Sequence, residues 1–234
     1  MPCLTRQSLL LRKDLFMNVI QKIIGWTPQL LNGAKITILL TLCSVCAGLI
    51  LGIFLALGSM SKSKILRSIS KAYVFFFRGT PLLMQLYFVY YGLPEISRSL
   101  TINSKFLAAF IAFGLNSGAY CSEIFRSAIQ SIDKGQFEAG KVLGLSYLKT
   151  MRLIILPQSI RRLIPPVGNE FIMMLKDASL VSIIALADIT KVTRSIQSST
   201  ASSLVYIPAM ILYLIITAVF TLLFRWLEKK NTYE

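Results

Sequence analysis

Two long stretches of this chain carry no charge at all. The first runs from Ile36 to Ser61. The second runs from Ser195 to Phe224 and is strongly apolar from Leu204 onward. About 20 apolar residues in a row are long enough to cross a bilayer as a helix. The 234 residues are enough for one domain of ordinary size. They are 55% hydrophobic with a mean hydropathy of +0.66, too apolar for a soluble globule. The chain therefore reads as an all-α integral membrane protein with about five transmembrane helices.

The hydropathy and charge pattern puts those spans at about 34–59, 72–93, 105–126, 160–187 and 204–224. Residues 1–32 form a mixed, basic N-terminal segment, and Met17 offers a second start, so residues 1–16 are either translated or an upstream extension. Leu9 to Leu11 is too short for a signal-peptide core. Residues 226–234 form a tail. Lys and Arg concentrate at 60–71, at 127–158 and at the C-terminus, which puts those segments on the cytoplasmic side. The N-terminus is then extracytoplasmic, against its own positive charges. Gly48 and Gly52 in the first span allow close helix approach without specifying a partner.

The formal net charge of +15 does not point to nucleic acid. The basic residues flank apolar spans, with no basic helix interleaved with exposed aromatics. The absence of histidine removes His triads, His metal sites and His pH switching. Cys43 and Cys46 have C-x-x-C spacing but lie in the uncharged run, where a thiol packs as a small apolar group. A lipid-modifying membrane enzyme would need a catalytic constellation, and no carboxylate pair sits at metal-ligand spacing. No catalytic residue and no metal site are expected.

The stretch GQFEAGKVLG, Gly135 to Gly144, contains G-x-x-x-x-G-K, the start of a nucleotide-binding loop. That loop needs a Ser or Thr after the Lys for magnesium, and a preceding buried strand. Val142 follows Lys141, and no β-rich run precedes Gly135. A wider window fits better: Glu138-Ala139-Gly140, then Gly144, then Ile154, Leu156 and Pro157. This resembles the EAA loop of the membrane subunits of ABC importers, E-A-A-x3-G-x9-I-x-L-P, with Gly140 in place of the third residue. Arg78-Gly-Thr-Pro-Leu-Leu-Met-Gln85, Leu115-Asn-Ser-Gly-Ala-Tyr120, Asn169-Glu-Phe-Ile172 and Lys176-Asp-Ala-Ser-Leu-Val-Ser182 are similar to the polar amino acid branch of that family. Ala178 intervenes where the family usually has Thr or Ser directly after Lys-Asp.

The resemblance implies a type I ABC importer transmembrane domain over 33–225, with the coupling loop at about 127–158. It implies a permease that performs no chemistry and binds no cofactor, since ATP is bound by ABC ATPase subunits docked on the loop. The implied partners are an extracytoplasmic amino-acid-binding protein and a second permease copy or sister permease, in the bacterial cytoplasmic membrane. The implied substrate is a polar amino acid of the arginine, glutamine, glutamate or histidine class. A passive channel would need no loop of this fixed spacing.

Local chemistry suits the loop's implied role. Gln136 to Leu143 can form two helical turns, and Gly144 can take the left-handed conformation that stops a helix. Ser146 can cap a second short helix, Tyr147 to Leu153, bounded by Pro157. Phe137, Val142, Leu145 and Leu148 supply an apolar surface. Gly140 costs up to about 1 kcal/mol of helix stability relative to Ala, and it permits close approach.

Charged groups within spans cost roughly 2.5–3.5 kcal/mol each on insertion scales, so they face protein or water. Asn116, Tyr120 and Glu123 share one helical face, and Glu170, Met173, Met174 and Asp177 share another. With Gln85 and Lys176 these are the substrate-pathway candidates. Two other readings stand beside this one. Glu123 and Arg126 can snorkel to the interface, and Glu170, Lys176 and Asp177 can pair with one another. Arg78 and Pro81 read as shaping the start of the second span.

Overall fold

The computed structural model describes the backbone of residues 6–232, with side chains for residues 17–230. Residues 1–5 and 233–234, the outer ends of the expected N-terminal segment and tail, lie outside the described residues. Helices α1 (Arg6–Ser59), α2 (Lys64–Gly79), α3 (Leu82–Tyr87), α4 (Leu93–Ile96) and α5 (Lys105–Gln130) come first. They are followed by α6 (Lys134–Val142), α7 (Tyr147–Thr150), α8 (Leu156–Asp177), α9 (Ile189–Thr200) and α10 (Tyr206–Thr232). No strand occurs among the described residues.

The elements differ from the expected spans in instructive ways. The boundary expected near residue 33 falls inside α1, which continues through Pro28. The basic stretch expected as a loop at 60–71 is largely the start of α2, capped by the Ser63 hydroxyl, which accepts from the Leu66 N–H. The span expected at 72–93 is broken at Thr80–Pro81 and then runs on through Pro94 to Ile96. The last expected spans shift too: α8 begins at Leu156 and gives way after Asp177 to a 3-10 stretch, Ala178–Ile184. The polar segment at 188–203 contains α9, capped by Asp188, which accepts from the N–H groups of Thr190 and Lys191. By length and composition, two segments are long and apolar enough to cross a membrane, Met17–Ser59 and Ser203–Lys230.

The close packing of α1 on α5 answers the question that Gly48 and Gly52 raise. A Cβ at Gly48 would lie 2.6 Å from Ser117 Cβ, and one at Gly52 would lie 2.6 Å from Cys121 Cβ. The small-residue face is thus occupied within the chain, which lets the two backbones approach. One apolar cluster around Phe113, Leu86 and Val181 joins α3, α5 and the 3-10 stretch. A second, around Trp26, Leu30, Leu175, Ile189 and Val205, ties α1 to α8, α9 and α10. Outside this core the surface carries Phe54, Phe75, Leu214 and Leu222 exposed, an apolar exterior far larger than a water-soluble monomer shows.

Candidate substrate cavity and coupling elbow

The break between α2 and α3 follows from Pro81. A helical Phe77 carbonyl would accept from the N–H of residue 81, and proline has none. Two side chains supply the missing donors. Gln85 Nε2 donates to Phe77 O at 2.9 Å and to Thr80 Oγ1 at 2.8 Å. Asn116 Nδ2 donates to the same Phe77 O at 3.0 Å and to Gln85 Oε1 at 3.0 Å. The break is thereby a built feature, since buried carbonyls are costly when unpaired. Tyr73 fixes the preceding turn by donating its hydroxyl to Leu115 O at 2.9 Å.

Beside the break lies a cavity of about 430 Å³, within the range of small-molecule sites, roughly 300–1,000 Å³. Its wall includes Arg78, Thr80, Asn116, Tyr120, Glu170 and Asp177. Four of the sequence candidates thus meet at one site: Asn116, Tyr120, Glu170 and Asp177. Glu170 is buried and accepts a hydrogen bond from Ser117 Oγ at 2.9 Å. It does not pair with Lys176, which is exposed on α8 and away from the cavity wall. Gln85 packs behind the wall with its amide committed to the helix break.

Glu123 falls just outside this cavity, on the wall of two neighbouring spaces. It is held by Arg126, whose Nε donates to Glu123 Oε1 at 3.0 Å, and it faces Arg78 at 3.8 Å. The residue that sequence reasoning placed elsewhere is Arg78. Its guanidinium sits 5.2 Å from the Tyr120 ring centroid and lines all three spaces. Its charge within an otherwise uncharged span was a legible signal. The adjacent proline offered a sufficient structural explanation and masked it.

The second candidate site is the elbow between α5 and α8. Asp133 caps α6 by accepting from Gly135 N at 2.6 Å. Gly144 has φ +72°, a left-handed conformation open to glycine. Leu145 N donates to Gly140 O at 2.9 Å and Gly144 N to Lys141 O at 3.0 Å. This pair of bonds is the Schellman motif in full. Ser146 then caps α7 by accepting from Lys149 N.

Gly140 also has a packing reason: a Cβ there would lie 2.6 Å from both Thr150 Cγ2 and Thr150 Oγ1. The departure from the EAA pattern coincides with a buried Thr150 pressed against the α6 backbone. Pro157 does not bound the second helix as expected. The chain passes through a π turn, Met151–Ile155, directly into α8. Around the elbow Val142 is 87% exposed, Leu148 75% and Tyr147 71%, while Phe137 and Leu145 are half-buried. Of the remaining loop positions, Glu138, Ala139, Leu156 and Pro157 are exposed and Ile154 is half-buried.

Among the described residues no group of three Cys, Asp or Glu could hold a metal. An apolar exterior, a polar cavity and an exposed elbow define a membrane-embedded transport subunit. The chain belongs to the family described as "Binding-protein-dependent transport system inner membrane component", matched over residues 48–233.

It is 40% identical over 204 residues to "Probable amino-acid ABC transporter permease protein YckA" of Bacillus subtilis (strain 168), covering 87% of this chain and 89% of that protein. It is 36% identical over 204 residues to "Glutamine transport system permease protein GlnP" of Escherichia coli (strain K12), covering 87% and 93%. The solved structure "Crystal structure of an amino acid ABC transporter with histidines" contains a chain 37% identical to this one. That chain superposes with a TM-score of 0.85, over 90% of this chain and 97% of its own length. A chain of the MetNI methionine ABC transporter, 16% identical, superposes at 0.73 over 88% and 97%, a likeness of fold alone. The protein is thus the permease component of an amino acid ABC importer, and the ATPase activity sits in its partner subunit.

Proposed function

We propose that this permease carries a polar amino acid of the arginine, glutamine, glutamate or histidine class across the bacterial cytoplasmic membrane, through the cavity beside Pro81. The observation that carries this reading is the sign of the charges on the cavity wall. Arg78 faces the space from α2, and Glu170 and Asp177 face it from α8. A zwitterion brings a carboxylate and an ammonium, and each then has an opposite charge within reach. Relatives named as glutamine and arginine permeases fit this class, and one named as an L-cystine permease falls outside it.

In this reading five spans cross the membrane, and the chain works beside a second copy or a sister permease. An extracytoplasmic binding protein delivers the amino acid. ATP stays in the partner ATPases, and this chain binds no cofactor. The coupling surface is the elbow: Glu138, Ala139, Gly140 and Gly144 shape its first helix and its turn, and Ile154, Leu156 and Pro157 join it to α8. The support is its exposed apolar tip, an arrangement suited to docking in a cleft.

The test is competition uptake into proteoliposomes holding permease, ATPase and binding protein, with labelled arginine against neutral glutamine. Asp177→Asn should lower arginine uptake more than glutamine uptake while assembly is unchanged. Equal uptake of both by the variant and the parent would contradict the assignment of this cavity.

A further inference from the structure

Arg78 lies where three spaces meet, and its present partners hold it loosely. The space on one side is the candidate substrate cavity. On the other is a larger groove of about 870 Å³ walled by Arg67, Lys71, Arg78, Arg126 and Glu123. Among the described residues Glu123 is the single carboxylate in that wall, and Arg126 already grips it through two nitrogens. Arg78 reaches it only at 3.8 Å, with its side chain 43% exposed. An ion pair this long and this exposed contributes little. Releasing Arg78 leaves Glu123 with a better partner, so no carboxylate is orphaned.

The cavity side offers Arg78 a different anion whenever an amino acid enters. Among the described residues, Arg78 is the one cationic side chain on the cavity wall. A guanidinium takes a carboxylate through two parallel N–H···O bonds. The backbone beside it is suited to a swing: α2 ends at Gly79, where an added Cβ would meet nothing within 4 Å, and the chain breaks at Thr80–Pro81. Tyr120 lies beneath the guanidinium at 5.2 Å and lines both the cavity and the space next to Glu123.

We propose that Arg78 recognises the substrate's α-carboxylate and exchanges it with Glu123, so that its position controls passage between the cavity and the basic groove. With the cavity empty, Arg78 leans on Glu123 across the junction. With an amino acid bound, Arg78 turns to the α-carboxylate and Arg126 keeps Glu123. This rests on the cavity being the substrate site, and it adds a requirement for a free α-carboxylate at the permease itself.

The experiment is equilibrium binding of radiolabelled glutamine and arginine, each compared with its methyl ester, to the assembled permease–ATPase complex in nanodiscs without binding protein. The parent complex should hold the free acids at least tenfold more tightly than the esters. Arg78→Gln should abolish that preference. Glu123→Gln should tighten the free acids several-fold and leave the esters unchanged. Should Arg78→Gln fail to assemble, Arg78→Lys decides: it keeps the charge without the fork and should show a reduced preference.

Asp177→Asn contacts the other end of the substrate and should weaken acid and ester of arginine alike. If Asp177→Asn weakens binding while acid and ester stay equivalent in the parent, the Arg78 exchange is wrong and the cavity stands. If neither Asp177→Asn nor Glu170→Gln changes binding, the cavity assignment fails and the exchange fails with it.

Discussion

Gly144 shows most plainly how one residue sets the geometry of the elbow. Its φ of +72° is open to glycine and costs an ordinary L-residue about 1–2 kcal/mol; a β-branched side chain suffers most. Gly144→Val should therefore reduce ATPase stimulation by loaded binding protein while the chain still inserts and assembles. Full stimulation in that variant would remove the coupling role. Gly140 makes the companion case. Gly140→Ala drives a Cβ into Thr150 and should impair coupling, and Thr150→Ala in the same chain should restore much of it, measured as uptake per ATP hydrolysed. The Gly144 stop and the Ser146 cap were legible because each follows from one residue's local chemistry. The contact between Gly140 and Thr150 was not, since it joins positions ten apart through a turn whose angle no local rule supplies. Arg78 was visible as a charge, yet its three surrounding spaces exist only once α2, α5 and α8 are packed.

Two elements share a construction that explains where the expected helix ends were misplaced. A π turn, Phe88–Gly92, precedes Pro94, and another, Met151–Ile155, precedes Pro157. In each case the proline is the second residue after the turn. Leu93 N bonds back to Phe88 O and Leu156 N to Met151 O, five residues rather than four. The wider turn moves the carbonyl that the proline ring would strike, so the helix continues where the usual rule ends it.

Removing the proline removes the reason for the wider turn. Pro157→Ala should let the segment revert to an α-helix and rotate the elbow by one residue, about 100° and 1.5 Å, against α8. The expected result is normal insertion with uptake uncoupled from ATP hydrolysis; coupled uptake at the parent ratio would contradict it. At the α2–α3 break the logic runs the other way. Pro81→Ala restores the N–H that Phe77 O lacks, so Asn116→Ala should cost less in that background than alone. The difference should be about 1 kcal/mol in a double-mutant cycle on thermal unfolding. Additive losses would show that Asn116 does not serve the break.

At the scale of the whole molecule, composition alone specified a helical membrane protein, because uncharged runs such as Ile36 to Ser61 have no soluble packing solution. The division into spans was less legible. Helices α5 and α8 place Asn116, Ser117, Glu170 and Asp177 inside the bundle, and those polar residues dilute the hydropathy that marks a span. On the proposed function, the polarity that serves transport is therefore the property that blurs these helices in the sequence. Of the seven residues singled out by that pattern, four meet at one cavity, Gln85 supports its wall, Glu123 stands at its edge, and Lys176 lies away from it.

The central claim is that an amino acid occupies the space bounded by Arg78, Glu170 and Asp177. An electron cryomicroscopy map of the complete complex, prepared with saturating glutamine or arginine and trapped before ATP hydrolysis, tests it directly. The account predicts ligand density in this cavity, its carboxylate within hydrogen-bonding distance of Arg78 and its ammonium facing α8. Density bound elsewhere along the permease, with this cavity collapsed or filled only by water, would contradict it.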